Sequence, residues 1–323
     1  MGGVWSGAEL DLDAYLGRVG FTGEPTPTAA TLRTLHTAHV LALPFENLGI
    51  TLGQGAPLDL PSIQGKLIAQ RRGGYCYEHT TLFAAVLERL GFGVTALSSR
   101  VHMSEEKLTP ATHAVLRVAT EETADTGLEW LCDVGGGGQP LAPLPATHGA
   151  ETSAGDWHYR MEWRTVAPGT EGWTLYLWEK DGWRVRHNTV DTPQFPVDYL
   201  VGNHYVATSS HSPFTTRPVA ARNTGAELRF LDGRTLTTTR AADHHSEARE
   251  VRPEEMPELL AEEFGIVLEP ADARRLVDRS AALPPTDSPV DEHPPADERD
   301  AAVHRDRTAP EEPTPEEPAP AER

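Results

Sequence analysis

The sequence feature that most constrains this chain is a pair of glycines placed directly before a cysteine and an apolar helix. Gly73 and Gly74 precede Tyr75 and Cys76, and the stretch from there to Leu90 carries apolar side chains at helical spacing. A cysteine at a helix N-terminus meets unpaired backbone N–H groups and the positive end of the helix dipole. Because both favour the nucleophilic thiolate, the pattern predicts a reactive Cys76 rather than a buried thiol that only fills space.

Two further side chains follow Cys76 in an order that suits nucleophilic catalysis. Residues 113–119 alternate like a strand that begins at His113, and residues 128–134 predict a second strand that ends next to Asp133. A helix-borne thiol, an imidazole at a strand edge and a carboxylate at a strand end can converge as nucleophile, base and orienting group. The short separations disfavour the papain arrangement, in which the histidine lies more than about 100 residues after the cysteine.

The hydrophobic period changes twice along the chain and divides it into three folded segments. Residues 1–93 have the period of a helical bundle that carries the nucleophile. Residues 94–207 alternate mostly like strands, with an Asp-Gly hairpin at 181–182, and predict an antiparallel sheet that curls into a barrel. Residues 208–283, with a second Asp-Gly hairpin at 232–233, predict a mixed α/β segment. The fold class is therefore α+β.

Local signals also predict where individual helices begin and end. Ser62 follows Pro61 and is a suitable N-cap for a helix that runs to Gln70. Gly91 and Gly93 predict the end of the helix that begins at Cys76.

The composition of residues 284–323 differs from that of the rest of the chain. This stretch has 10 prolines and 12 acidic against 4 basic side chains, a net charge of −8 out of the total of −20. It has almost no large apolar side chains, so burial could not offset the entropy of ordering it. The sequence predicts a disordered, proline-rich acidic tail.

The remaining composition excludes several classes of function. A net charge of −20 with no basic stripe argues against a nucleic-acid partner. Only Cys76 and Cys132 are present, so there is no disulfide framework, and Cys132 is expected to face away from the site because Asp133 follows it directly. The sequence shows neither an N-terminal apolar h-region nor a run of about 18 apolar residues, so we expect no secretory leader and no membrane span, and a cytoplasmic protein without a membrane partner.

Four motifs in this order resemble the arylamine N-acetyltransferases. They are Leu43-Pro44-Phe45-Glu46-Asn47-Leu48, Arg72-Gly73-Gly74-Tyr75-Cys76-Tyr77-Glu78, Thr112-His113 and Asp133-Val134-Gly135. A later segment, Asn203 to Ser209 followed by Ser212-Pro213-Phe214-Thr215, resembles another signature of that family. The resemblance covers residues 8–280. It implies an N-terminal helical bundle, a central β-barrel and a C-terminal α/β lid, with a papain- or transglutaminase-like cysteine-enzyme core.

The resemblance also implies an activity. Acetyl-CoA would be a co-substrate rather than a bound cofactor, and its acetyl group would pass through Cys76 to an aromatic amine or hydrazine in a ping-pong reaction. His113 and Asp133 would complete the catalytic triad. Arg72 and Glu46 would form a structural ion pair beside the cysteine.

Contacts with the two substrates follow from the same resemblance. The expected substrate-binding residues are Phe45, Tyr75, Thr112, Gly135, Gly136 and Phe214. The expected CoA-binding residues are Thr112, Gly135, Gly137 and Ser209. The family usually has Gly-Phe-Gly after Asp-Val, whereas this chain has a run of four glycines, so the pocket is expected to be wider and more mobile at Gly136.

Several alternatives stay open at this stage. His79, three residues after Cys76, is a weaker candidate for the base, and Asp243-His244-His245 lacks a further metal ligand at useful spacing, so no metal is expected. Relatives that resemble amide synthases release a carrier-bound polyketide as a macrolactam, and this chain could do the same. A cysteine hydrolase or transglutaminase-like enzyme, or a binding protein without catalysis, is also conceivable. The sequence leaves the oligomeric state open.

Overall fold

The computed structural model describes residues 3–101, 108–138, 140–180 and 182–283. The predicted tail at 284–323 and Asp181 of the first predicted hairpin lie outside these residues. Within the described ranges, no helix is both long and apolar enough to cross a bilayer.

Ten α-helices are found in the described residues. In chain order they are α1 (Leu12–Val19), α2 (Ala29–Ala42), α3 (Leu48–Thr51), α4 (Leu60–Gln64), α5 (Cys76–Arg89), α6 (Thr123–Thr126), α7 (Pro196–Thr208), α8 (Pro213–Thr216), α9 (Met256–Phe264) and α10 (Pro270–Ala281). Short 3₁₀ turns lie at Gly7–Glu9 and Pro253–Glu255.

Thirteen strands of the described residues form two antiparallel sheets. They are β1 (Phe45–Glu46), β2 (Gly93–Val101), β3 (His113–Ala119), β4 (Glu129–Cys132), β5 (Leu144–Pro145), β6 (Ala150–Ala154), β7 (Trp157–Ala167), β8 (Thr170–Glu179), β9 (Gly182–Val190), β10 (Val219–Asn223), β11 (Glu227–Asp232), β12 (Thr235–Arg240) and β13 (Ser246–Glu250). Eight strands follow the order β5-β4-β3-β2-β9-β8-β7-β6 and form a nearly closed barrel. The other five follow the order β1-β10-β11-β12-β13.

Helix α5 is the central element of the core. Every residue from Cys76 to Leu87 is buried, as expected for a helix whose first three turns are covered on all sides. The carboxylate of Glu78 accepts a hydrogen bond from the backbone N–H of Tyr75 at 3.1 Å and caps the start of the helix. The helix packs against β2 and β3, so its first residue lies beside the start of β3 at His113.

The smaller sheet joins distant parts of the chain. Phe45 and Glu46 of β1 pair with Ala221 and Ala220 of β10, although β1 belongs to the N-terminal helical segment. A second apolar core lies on this sheet, built from Leu48, Leu52, Ala220, Leu231, Leu236, Val251, Met256, Leu259, Leu260, Phe264, Ile266 and Leu276. The α+β class with a helical bundle, an antiparallel barrel and an α/β lid is confirmed, and the limits of the three predicted segments stay predictions.

One predicted helix start is wrong. The cap before α4 is Asp59, whose carboxylate accepts the backbone N–H of Ser62 at 2.9 Å, and the helix begins at Leu60. The helix does not run on to Gln70 as a regular α-helix, because residues Gly65–Ala69 form a π-helical turn. The aspartate is the stronger cap because its carboxylate is negatively charged at the positive helix end.

Candidate active site

Cys76 is the first residue of α5, as its spacing predicts, and is 4% exposed. Its Sγ lies 3.8 Å from the carbonyl oxygen of Thr112, the residue just before β3. The preceding glycines permit a close backbone approach, because a Cβ on Gly73 would collide with the carbonyl of Pro44. The turn before the helix is therefore fixed against the chain around β1.

His113 and Asp133 are brought together beside this cysteine. Nε2 of His113 lies 3.0 Å from Oδ2 of Asp133, and both side chains are buried. Burial alone would lower the pKa of His113, but the charge of Asp133, the hydrogen bond between the ring and that carboxylate, and the nearby Cys76 side chain raise it to about 10. Near neutral pH the ring is an imidazolium.

Asp133 accepts hydrogen bonds from more than one side. Burial would raise the pKa of Asp133, but His113 and His187 hold it well below its usual range. The backbone N–H of Gly135 donates to Oδ1 of Asp133 at 3.3 Å. Cys132, on the other side of the strand, is fully buried, and burial and the neighbouring Asp133 raise the pKa of its thiol.

His187 was not among the residues that the sequence singles out. It lies on β9, where the register with β8 shifts next to Leu175, and a bulge of this kind re-aims a side chain. Nε2 of His187 lies 3.4 Å from Oδ2 of Asp133. His187 and Thr189 are buried between more exposed neighbours on β9, an alternation that the structure reveals and that the sequence of β9 alone does not mark.

The glycine run after Asp133 lies over the start of α5. A Cβ on Gly135 would lie 2.7 Å from Cα of Cys76, and one on Gly136 would lie 3.0 Å from Oδ2 of Asp133. Gly136 is exposed, whereas Gly135 and Gly137 are buried. The loop therefore has no side chain between the Asp133 carboxylate and solvent at Gly136.

Replacing Gly135 with alanine is expected to lower the rate of acetyl transfer by about 10-fold or more and to destabilise the fold by about 1–3 kcal/mol. The new methyl would press on the Cys76 backbone rather than on a flexible side chain, so the thiol and Asp133 would move apart. Steady-state kinetics and thermal unfolding would measure both effects. Gly17→Ala is the matched control, because a Cβ there meets nothing within 4 Å. Equal activity of the two variants would contradict the prediction.

Aromatic side chains gather at the lid side of this loop. The Phe214 ring lies 5.9 Å from that of Phe45 and 6.0 Å from that of Tyr75. The position of a Cβ on Gly137 would be 3.7 Å from Phe45 and from Phe230, a residue that the sequence did not single out. Tyr75 is fully buried and its hydroxyl donates to Asn203, which suits packing better than contact with a ligand.

The ion pair expected between Arg72 and Glu46 is part of a larger buried network. Nε and Nη2 of Arg72 donate to Oε1 of Glu46 at 3.1 and 2.8 Å. Lys66 lies 3.7 Å from the same oxygen and donates to Glu78 at 2.8 Å. Because Glu78 also caps α5, this network ties the turn before Cys76 to β1 and to the π-helical turn.

The other expected contact residues lie at different distances from the cluster. Thr112 is half-buried and touches the thiol through its carbonyl. Ser209 is half-buried directly after α7, and its carbonyl oxygen accepts a hydrogen bond from the Thr215 hydroxyl at 2.9 Å. Ser209 thus belongs to the same surface segment as Phe214, and no contact between it and the cysteine is found among the described residues.

His79 is committed to a different set of hydrogen bonds. Its Nδ1 lies 2.9 Å from Nε2 of His39, and its Nε2 lies 3.1 Å from the carbonyl oxygen of Pro44. Burial lowers the pKa of His79 to about 4. Because both ring nitrogens already have partners, His79 is poorly placed to act as a base for Cys76.

The polar atoms of His113, Asp133 and His187 all lie within 4.8 Å of one another. This is the single spacing among the described residues that a metal ion could bridge. The same atoms form the hydrogen bond between His113 and Asp133, so the geometry accounts for them without an ion. A helix-borne thiol beside a buried histidine–aspartate pair is an arrangement suited to enzymes that transfer or hydrolyse acyl groups through a cysteine.

Comparison with known proteins narrows this class. The N-acetyltransferase family model matches residues 28–273. The arylamine N-acetyltransferase of Mycobacterium tuberculosis is 34% identical over 264 residues, which is 80% of this chain and 89% of that protein. The corresponding Escherichia coli enzyme is 31% identical over 281 residues, 84% of this chain and 94% of that protein.

Solved structures point to the same family as the sequence comparisons. The arylamine N-acetyltransferase of Nocardia farcinica has a TM-score of 0.80 and 50% identity, covering 84% of this chain and 95% of that one. The Mycobacterium marinum enzyme in complex with CoA has a TM-score of 0.75 and 32% identity, covering 84% of this chain and 98% of that one. The chain therefore belongs to the arylamine N-acetyltransferase family.

Proposed function

We propose that this chain transfers the acetyl group of acetyl-CoA to an arylamine, arylhydrazine or related amine through a thioester on Cys76. Its family membership supports the acetyl donor and the acceptor class. The observation that carries the route through Cys76 is the placement of this thiol at a helix N-terminus, 3.8 Å from the carbonyl oxygen of the residue before His113, whose imidazole Asp133 keeps protonated.

The first half-reaction moves the acetyl group onto the enzyme. The Cys76 thiolate attacks the thioester carbonyl, the new carbon–sulfur bond forms, and the bond to the CoA sulfur breaks. The departing CoA thiolate takes the proton of the His113 imidazolium. The products are acetyl-Cys76, free CoA and a neutral imidazole.

The second half-reaction restores the resting state. The amine attacks acetyl-Cys76, and the neutral His113 accepts the proton that the nitrogen loses. The amide leaves, and the thiolate and the imidazolium are left as a pair. Asp133 holds the ring through Nε2 in both steps, so the other ring nitrogen faces the sulfur. One pocket serves both substrates in turn.

The aromatic cluster and the glycine loop support a location for the substrates. Phe45 and Phe214 offer ring faces for a flat amine, and Gly136 is exposed at the surface of the glycine loop. Thr112, Gly135, Gly137 and Ser209 are proposed CoA contacts, with backbone N–H groups of the loop as donors. Tyr75 would act through packing.

Intact mass after incubation with acetyl-CoA alone tests the acyl-enzyme. One acetyl adduct that maps to Cys76 and disappears on addition of a simple aniline is the expected result. No adduct with acetyl-CoA, together with an adduct from a longer carrier-bound acyl chain, would instead identify an amide synthase. Cleavage of amides without CoA would identify a hydrolase.

Iodoacetamide is expected to label Cys76 much faster than Cys132 near pH 6, because the His113 pKa of about 10 keeps a cation beside the sulfur. Protonation of His113 stabilises the fold fully below about pH 6.5, and this contribution is lost as the pH rises through about 10. Because the imidazolium persists to about pH 10, the labelling advantage of Cys76 over Cys132 should also persist between about pH 6 and 9, as mapped by peptide mass spectrometry.

The control for this experiment is His113→Gln, which removes the imidazolium and should slow labelling at pH 6 to the rate of an ordinary thiol. Cys132, whose pKa burial raises, is an internal reference in the same sample. Equal, slow labelling of the two cysteines in the wild-type chain would count against a poised nucleophile.

We further propose a cytoplasmic location. Cys76 and Cys132 are both free thiols in the structure. A reducing compartment would preserve the nucleophile that the mechanism needs.

A further inference from the structure

His187 has one ring nitrogen with a partner and one without. Nδ1 lies 3.1 Å from the hydroxyl oxygen of Thr189. Nε2 makes no well-aligned hydrogen bond to a described group, and its nearest recorded neighbour is Oδ2 of Asp133 at 3.4 Å. His187 is 3% exposed, so water does not readily satisfy this nitrogen.

The polar contacts of His187 continue onto neighbouring strands of the barrel. Ser99 of β2 stands opposite His113 of β3 on one side and opposite Thr189 of β9 on the other. Oγ of Ser99 lies 2.6 Å from Oγ1 of Thr189, and both side chains are fully buried. A continuous row of polar atoms therefore runs from Ser99 through Thr189 and His187 to Asp133.

The charge of Asp133 decides which way each hydrogen points. An ionised carboxylate only accepts hydrogen bonds, and Asp133 is held in this form by its histidine neighbours. Burial lowers the pKa of His187, whose other charged or titratable neighbours are His113 and Arg186, so its ring is neutral and carries one proton. A lone pair on Nε2 would repel the carboxylate. The proton therefore resides on Nε2.

The remaining directions follow in turn. With its proton on Nε2, His187 has an acceptor at Nδ1, so the Thr189 hydroxyl must donate to it. Thr189 has a single hydroxyl hydrogen, so its oxygen can only accept from Ser99. The order of donation is Ser99 to Thr189 and Thr189 to His187, which leaves the Nε2–H of His187 with Oδ2 of Asp133 as its nearest acceptor, at 3.4 Å.

We propose that Ser99, Thr189 and His187 are positioning residues: a directed hydrogen-bond chain from Ser99 through Thr189 orients the His187 ring, and the Nε2–H of this ring, 3.4 Å from Oδ2, holds the Asp133 carboxylate in place for its contact with His113. This inference rests on the proposed function and deepens it, because it assigns a support to the Asp133 carboxylate of the proposed triad. His187 shares Oδ2 with His113. With this support the carboxylate would keep its orientation when His113 loses its proton in each turnover.

The tautomer of His187 in the wild-type chain is the primary test. Nitrogen NMR of ¹⁵N-histidine-labelled protein distinguishes a protonated from an unprotonated ring nitrogen, and a His187→Phe variant identifies the signal. A proton on Nε2 with a bare Nδ1 is expected near pH 7. A proton on Nδ1 would overturn the proposal, and this test needs no other variant to fold.

Thr189→Val tests the consequence for the reaction. The kcat for acetyl transfer is expected to fall about 10-fold, the effect of one hydrogen bond to a charged system, while the KM for acetyl-CoA changes less than about 2-fold. Thr189→Ser should restore kcat to within about 3-fold. Thr174→Val is the matched control, since Thr174 is a buried barrel threonine that bonds Asn188 instead.

The outcomes separate this inference from the function itself. A folded Thr189→Val chain with unchanged kcat and an unchanged His187 tautomer would refute the positioning chain while leaving acetyl transfer intact. Absence of an acetyl adduct on wild-type Cys76 would refute the proposed function. The tautomer of His187 in the wild-type protein would still decide the direction of the hydrogen-bond chain.

Discussion

Replacing Cys76 with alanine abolishes acetyl transfer, with an expected loss of at least about 10⁴-fold in kcat, because loss of a covalent nucleophile removes the entire two-step route. The acetyl adduct seen by intact mass should vanish as well. Little structural change is expected, since Cys76 lies at the first turn of α5 and the helix is capped by Glu78 rather than by the thiol. Enzyme kinetics with a simple aniline, alongside thermal unfolding, would measure this.

Two variants control for this result. Cys132→Ala removes the other thiol, which lies on the opposite face of its strand and is fully buried, so activity should persist with a modest loss of stability. Cys76→Ser keeps the shape, but a hydroxyl next to His113 is a far weaker nucleophile than a thiolate. A Cys76→Ala chain that still transfers acetyl groups at a tenth of the normal rate would exclude the thioester route.

Asp133→Asn is expected to lower kcat by about 10³-fold or more, comparable with the effect of the same change in a serine-protease triad. The amide has no charge to keep the pKa of His113 raised, and its NH₂ group can face the ring with the wrong polarity. The sulfur would then lose its cationic partner near neutral pH. Both kcat and the iodoacetamide labelling rate of Cys76 at pH 6 should fall together.

The matched control is Asp125→Asn, which makes the same chemical change on the exposed helix α6. It should leave activity and labelling within about 2-fold of the wild-type values. If Asp133→Asn retained fast labelling, the imidazolium would not depend on this carboxylate, and the proposed role of Asp133 would be wrong.

Some features of the fold could be predicted because they depend on neighbours in the chain. The period of apolar residues before Leu90 predicted α5, and alternation predicted β3 with His113 as its first residue. The second Asp-Gly pair joins β11 to β12, as its turn chemistry indicates. Asp59 was missed as the α4 cap because Ser62 also fits the local rules for a helix start.

Contacts between distant segments were beyond the reach of these rules. Three contacts depend on how separate elements pack. They are the pairing of β1 with β10, the addition of Lys66 and Glu78 to the Arg72–Glu46 network, and the approach of Phe230 to the glycine loop. His187 is the clearest example. A bulge in the β8–β9 pair sets its direction, and register between strands is not a property of either strand alone.

The sequence by itself determined the family, the α+β class and the identity of the three proposed catalytic side chains, because a helix start, a strand start and a strand end are local patterns with distinct chemistry. Only the tertiary structure decided that His113 lies 3.0 Å from Asp133 and that a second histidine supports the same carboxylate. The reason is physical. Hydrogen-bond geometry and burial arise when α5 packs against β2 and β3 of the barrel, and they set the protonation states on which the proposed chemistry depends.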